Sequence, residues 1–167
     1  MGLDQYLRRK TSTHSFWFMQ LEGSPKVEVF DVPGVDETRI IEIVEEVGYW
    51  RKCPAIHNWF VETVQDGVDE CEEHEVSKGQ LTELLEICKE IWEFYKKNSN
   101  NHEQPNEKAK EFAEEKLPNV SGFFFGNQEY DKDYFEWQIQ PTIEMLEDLL
   151  NEESSKLLQV YTYRSSW

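Results

Sequence analysis

The chain has 167 residues, with 34 acidic against 17 basic side chains and a net charge of −17. One core can be buried at this length, so a single domain is expected. The charge opposes sequence-independent attraction to a nucleic-acid backbone or an anionic membrane, and favours a basic protein if a charged macromolecule is bound at all. No window reaches the roughly 18 apolar residues of a membrane span, and Met1 to Lys10 lacks the apolar core of a signal peptide, so a cytoplasmic protein is expected. Cys53, Cys71 and Cys88 are scattered and form neither a paired disulfide framework nor a zinc-site spacing. With 14% aromatic residues and six Trp the chain has the apolar surface to fold despite its charge.

In chain order, Leu3 to Arg9 reads as a short strand with Leu3 and Leu7 on one face. Ser15 to Leu21 reads as a compact aromatic strand, and Lys26 to Val32 as an alternating one. Pro33-Gly34 ends that run, and Asp36 is placed to cap a helix carrying Ile40, Ile43, Val44 and Val47. A strand from Ile41 to Tyr49 competes with that helix, which is the preferred reading. Pro54 suits the first turn of a helix lined by Ile56, Trp59, Phe60 and Thr63 and stopped by Asp66-Gly67.

Ser77 and Gln80 form a capping box for the longest helix, whose core stripe is Leu81, Leu84, Leu85, Cys88, Ile91, Trp92 and Tyr95. Residues 98–106 are polar and turn-forming, a surface loop or insertion. A short polar helix near Glu107 to Lys116 precedes Ser121 to Gly126, which reads as a buried strand between glycines, and a turn near Asp131. The final helix carries Ile139, Ile143, Leu146, Leu149 and Leu150, with Pro141 starting its regular part or kinking it. Leu157 to Tyr163 closes the chain as an alternating strand. The expected fold is α+β, one domain over 1–167 with a small, mainly antiparallel sheet packed against several helices.

Between Glu46 and Glu62 no acidic residue occurs, and this gap holds Tyr49, Trp50, Arg51, Lys52, His57, Asn58, Trp59 and Phe60. Guanidinium, ammonium and imidazole groups pair with phosphate oxygens, and aromatic faces stack on bases, so the window suggests a small phosphorylated or nucleotide-like ligand. The plainer alternative is that Trp and Phe at helical spacing pack a core while Arg51 and Lys52 favour a helix dipole. Tyr130, Asp131 and Tyr134, where a strand passes to a helix, are further site candidates.

The following segment reverses the charge, with Glu62, Asp66, Asp69, Glu70, Glu72, Glu73 and Glu75 unbroken by Lys or Arg. Its order does not fit a calcium loop, and Cys71 with His74 lacks a second zinc-binding pair, so a solvated acidic loop is expected. No nucleophile elbow or His-Glu-x-x-His helix is present. No catalytic set, metal site or cofactor is therefore assigned. His57 as general acid or base, oriented by an acid such as Asp66, is kept only as an enzymatic alternative.

Several pieces lie together in one pattern: Gly2-Leu-Asp4, Glu46-Val-Gly-Tyr-Trp-Arg-Lys52, Ile56-His-Asn-Trp-Phe-Val61, Val64-Gln-Asp-Gly-Val-Asp69, Val76-Ser-Lys78, Ser121-Gly-Phe-Phe-Phe-Gly126 with Tyr130-Asp131, and Ser165-Ser-Trp167. In these the chain resembles a family of small bacteriophage and prophage proteins, departing from it at Cys53-Pro54, where small or polar residues are usual. The resemblance implies an accessory protein of the infected cell's cytoplasm, of a kind that often counters host defence. Two partner classes follow: a small nucleotide-like signal that the protein sequesters, or a basic host protein held by an acidic surface that imitates DNA charge. Direct nucleic-acid or membrane binding is not expected, and the oligomeric state is open, a homo-oligomer included.

Overall fold

A computed structural model describes residues 2–13, 27–99, 104–119, 126–152 and 158–167. Strands β1 (Asp4–Ser12), β2 (Glu42–Arg51), β3 (His74–Val76) and β4 (Gln159–Ser166) form one sheet in the order β2-β1-β4-β3, with every neighbouring pair antiparallel. Helices α1 (Pro54–Val64), α2 (Lys78–Asn98), α3 (Glu107–Lys116) and α5 (Gln140–Asn151), with the three-residue turn α4 (Lys132–Tyr134), supply the other layer. The fold is α+β, as the sequence suggests.

The period-2 alternation of β1 and β4 sets the two faces of the sheet. Gln5, Leu7, Tyr161 and Tyr163 are buried and join Trp50 and the helices in one core. Tyr6, Arg8 and Lys10 stand on the other, open face. Leu3 and Leu7 are indeed both fully buried on one side. The aromatic content becomes stacked pairs inside that core: Phe60 on Tyr163 with ring centroids 3.9 Å apart, and Tyr95 on Phe135 at 4.2 Å. Such pairs contribute about 0.5–1.5 kcal/mol each beyond their buried area.

α1 is buried from Pro54 to Val61, so it runs through the interior instead of lying on the surface. α2 has the expected capping box, with Ser77 Oγ accepting from Gln80 N–H and Gln80 Oε1 accepting from Ser77 N–H. It extends to Asn98, so the polar stretch that follows is shorter than 98–106, and residues 100–103 lie outside the described residues.

The preferred helix after Asp36 is not formed. Asp36 caps only a 3-10 turn, Glu37–Arg39, and residues 42–51 form β2. Ile41, Ile43, Val47 and Tyr49 suit either period, and pairing along the whole of β1 decides in favour of the strand, as tertiary context commonly does. Residues 27–32 form no strand, and Lys26 lies outside the described residues, as do Ser15 to Leu21, Ser121 to Phe125 and Leu157. β3 is an addition, built where the sequence suggested only an acidic loop.

Ion pairs tie the layers together. Arg9, on β1, is bidentate to Glu45 at 2.8 and 2.9 Å and also reaches Glu152 beyond α5. That guanidinium holds the Glu45 carboxyl below its ordinary pKa. Glu73 is lowered in the same way by Lys10, and it also accepts from Thr162 and faces Arg8. None of the described helices is long and apolar enough to cross a membrane.

Candidate functional site

Three residues of the acid-free window end β2 and open onto a cleft of about 350 Å³ lined by Tyr49, Trp50, Arg51, Trp137, Gln138 and Met145, among others. The size falls in the range of small-molecule sites. Trp50 forms the floor: it is buried, packs against Phe60 at 5.6 Å, and donates its indole N–H to Thr142 Oγ1 at 2.7 Å. Gly48 brings strand and helix together, because a Cβ there would lie 3.1 Å from Met145 Sδ and Cε and 3.2 Å from Leu7 Cβ. A glycine is therefore required by close approach of α5.

The opposite wall is a π-helical segment, Phe135–Ile139. Pro141 cannot supply the N–H that the Trp137 carbonyl would receive in a regular helix, and the preceding turn widens, with Gln140 N–H reaching back to Phe135 O. Thr142 Oγ1 donates in turn to Gln138 O at 2.6 Å. The wide turn keeps Phe135 and Ile139 buried while Trp137 stands 73% exposed at the rim. π segments of this type recur at functional sites. Pro141 thus begins the regular helix, one of the two roles open to it in the sequence.

On the open face of the sheet at the same strand end, Tyr49 is 49% exposed and tilts against Tyr6, with centroids 5.5 Å apart. The Tyr49 hydroxyl donates to Asp4, and that carboxylate raises the phenol's pKa. Arg51 Nε lies 3.8 Å from the same carboxylate, with a side chain two-thirds exposed. Asp4 is 45 residues away from Tyr49 in sequence, so the acid-free window is a property of the chain and not of the folded surface. Lys52 adopts a left-handed φ of 52°, and its backbone closes the corner: its N–H donates to Leu3 O at 2.8 Å and its carbonyl accepts from Gln138 at 3.4 Å.

The other candidates lie elsewhere. Trp59 is buried in α1. Tyr130 donates its hydroxyl to Leu117 O at 2.6 Å, Tyr134 is fully buried, and burial raises both phenols far above their ordinary pKa. His57 is 2% exposed and sits in a buried polar chain. The Tyr163 hydroxyl donates to Gln5 Oε1 at 3.1 Å and also lies within hydrogen-bond distance of His57 Nδ1, at 2.8 Å. The other imidazole nitrogen faces Asp69 Oδ2 at 3.1 Å, and Trp167 Nε1 donates to Asp69 Oδ1 at 3.2 Å. Gln5 closes the chain onto Cys53 O at 3.1 Å. The acid facing His57 is thus Asp69, not Asp66, and the chain joins β1, α1, the acidic loop and the C-terminal strand.

Cys53 and Cys88 are fully buried, and burial pushes the Cys53 thiol up to about 12 and the Cys88 thiol higher still. Neither is a reactive thiol at neutral pH. Among the described residues no group of His, Cys, Asp and Glu is arranged to hold a metal ion.

Trp137 is the site residue that sequence reasoning did not select. Its signal was an aromatic residue off the Ile139, Ile143 and Leu146 stripe, flanked by Glu136 and Gln138. No family model, curated protein or solved structure matches the chain.

Proposed function

We propose that this chain is a binding module that captures a small nucleotide-like ligand in the cleft between the end of β2 and the π segment. The observation that supports it is the cleft itself: Trp137 stands exposed at the rim beside the buried Trp50 floor, and Tyr49 and Arg51 border it from the end of the edge strand, their side chains rising from the other face of the sheet. A base stacks on Trp137, and the planar fork of Arg51 reaches round the strand edge to a phosphate oxygen, for which Asp4 is released. With the phage resemblance, sequestration of a host immune signal is the role that fits, the protein acting as a sponge in the host cytoplasm. His57 lies in the core away from this cleft, which favours capture over catalysis.

Calorimetry of the purified protein against a panel of linear and cyclic nucleotides tests the proposal. The expected result is saturable binding of at least one, weakened about tenfold or more in Trp137→Ala and in Arg51→Ala, since stacking contributes about 1–3 kcal/mol per base. Silence across the panel, or binding that both variants leave intact, removes the proposal.

A second reading rests on the net charge of −17: an acidic decoy for a nucleic-acid-binding host protein. Its mark is an affinity for a basic partner that falls steeply with salt. Loss of the cleft side chains leaves that affinity unchanged.

A further inference from the structure

β2 is a ten-residue edge strand, and among the described residues no strand pairs with its outer side. The outer groups can be assigned from the ladder. Thr13 N–H donates to Ile41 O at one end and Lys52 N–H to Leu3 O at the other, so alternate residues counted from each end turn their backbone groups toward β1. From the first end these are Ile41, Ile43 and Glu45; from the second they are Lys52, Trp50 and Gly48. Glu42 and Val44 therefore point outward, and so do Tyr49 and Arg51. The even and odd sets are reconciled by a β-bulge, because Leu7 pairs with Gly48 and Arg8 with Glu46, leaving Val47 as an extra residue.

In a regular strand, an antiparallel self-pair centred between two residues would set an outward residue against an inward one. The phase reset at Val47 removes that conflict.

We propose that β2 pairs antiparallel with β2 of a second copy of this chain about a two-fold axis between Glu46 and Val47. Glu42 then lies opposite the partner's Arg51, Ile43 opposite the partner's Trp50, and Val44 opposite the partner's Tyr49. Every such pair shares a face: Glu42, Val44, Tyr49 and Arg51 are on the open face with Tyr6 and Lys10, while Ile43 and Trp50 are on the helix face. Opposite charges meet twice through the symmetry, and a β-branched residue meets an aromatic one, both favourable cross-strand pairs. Ile43 and Val44 are exposed apolar residues in the single chain, 37% and 50%, and this pairing covers them. Glu42, Glu45 and Glu46 select the register. Centring the pair on Val44 instead would set Glu42 against the partner's Glu46.

The pairing gives a continuous sheet of twice four strands and places Tyr49 to Arg51 of both clefts beside the shared edge. It engages Arg51 and Tyr49, which also border the cleft, so it is tested without ligand.

Sedimentation velocity over a concentration series tests it, with no ligand present. The expected species is a dimer of about 40 kDa, twice the 19.9 kDa chain. Glu42→Lys and Arg51→Glu each set like charges together in two places and raise the dimer dissociation constant about tenfold, whereas the double exchange restores it. Val44→Pro removes an outward N–H without touching the β1 ladder, and so gives a folded monomer, with circular dichroism as the check on folding. A wild type that stays monomeric throughout overturns the proposal. So does a dimer that ignores both single reversals and Val44→Pro.

Discussion

The indole N–H of Trp50 meets the hydroxyl of Thr142 at 2.7 Å, and this bond joins the end of an edge strand to the first turn of α5 beneath the cleft. Both groups are buried. Thr142→Val keeps the shape and leaves the indole N–H unpaired, which costs about 1–3 kcal/mol. Chemical denaturation is expected to show that loss, together with weaker ligand binding. Trp137→Ala, at an exposed rim position, should leave the denaturation midpoint where it was.

The chain Asp69, His57, Tyr163, Gln5 links four elements in the core, and its removal should be felt in stability. Tyr163→Phe keeps the stack on Phe60 but deprives His57 Nδ1 and Gln5 Oε1 of a common partner. A destabilisation of about 1–3 kcal/mol is expected for such a buried loss, with nucleotide affinity unchanged. Affinity that collapses while stability holds would move the site from the cleft to His57.

Acid should weaken the fold through Glu45 and Glu73. Arg9 and Lys10 respectively hold these carboxyls below their ordinary pKa, so the folded state resists protonating them. Their contribution is complete above the unfolded carboxyl range, near pH 4–5, and is lost as pH falls through the lower folded values. Glu73→Gln is expected to be less stable than wild type at neutral pH and to show a shallower decline below about pH 5. Parallel wild-type and variant curves through the acid range would contradict this.

Thiol labelling should divide the three cysteines. Cys71 is partly exposed, while Cys53 and Cys88 are buried with raised pKa values. One equivalent of a thiol reagent is expected to react quickly at neutral pH, and the other two only on unfolding. Rapid reaction at all three would show that the core opens around α1 and α2.

Local signals carried much of this architecture. The Ser77 capping box, the Leu81 to Tyr95 stripe, the Pro54 helix start and the β1 alternation each depend on neighbours in sequence, and each appears in the fold. β2 was less legible, because Ile41 to Tyr49 satisfies helical and strand periods alike and only β1, far away in the chain, decides between them. The site was legible by halves. Tyr49, Trp50 and Arg51 announce themselves as an aromatic and basic cluster, but Asp4 beside Arg51 and Trp137 across the cleft reach them only through long-range pairing and a π turn. His57 and Trp59 looked alike in composition to the cleft residues and were drawn into the core because α1 is buried along most of its length.

Amide and indole chemical-shift mapping during a titration, with the tightest nucleotide of the calorimetric panel, tests the central claim most directly. The account predicts a compact set of shifts at Tyr49, Arg51, the Trp50 and Trp137 indoles and Gln138, with His57 and Tyr163 unmoved. A shift set centred on the His57 to Asp69 chain, or on the open sheet face at Arg8 and Lys10, contradicts it.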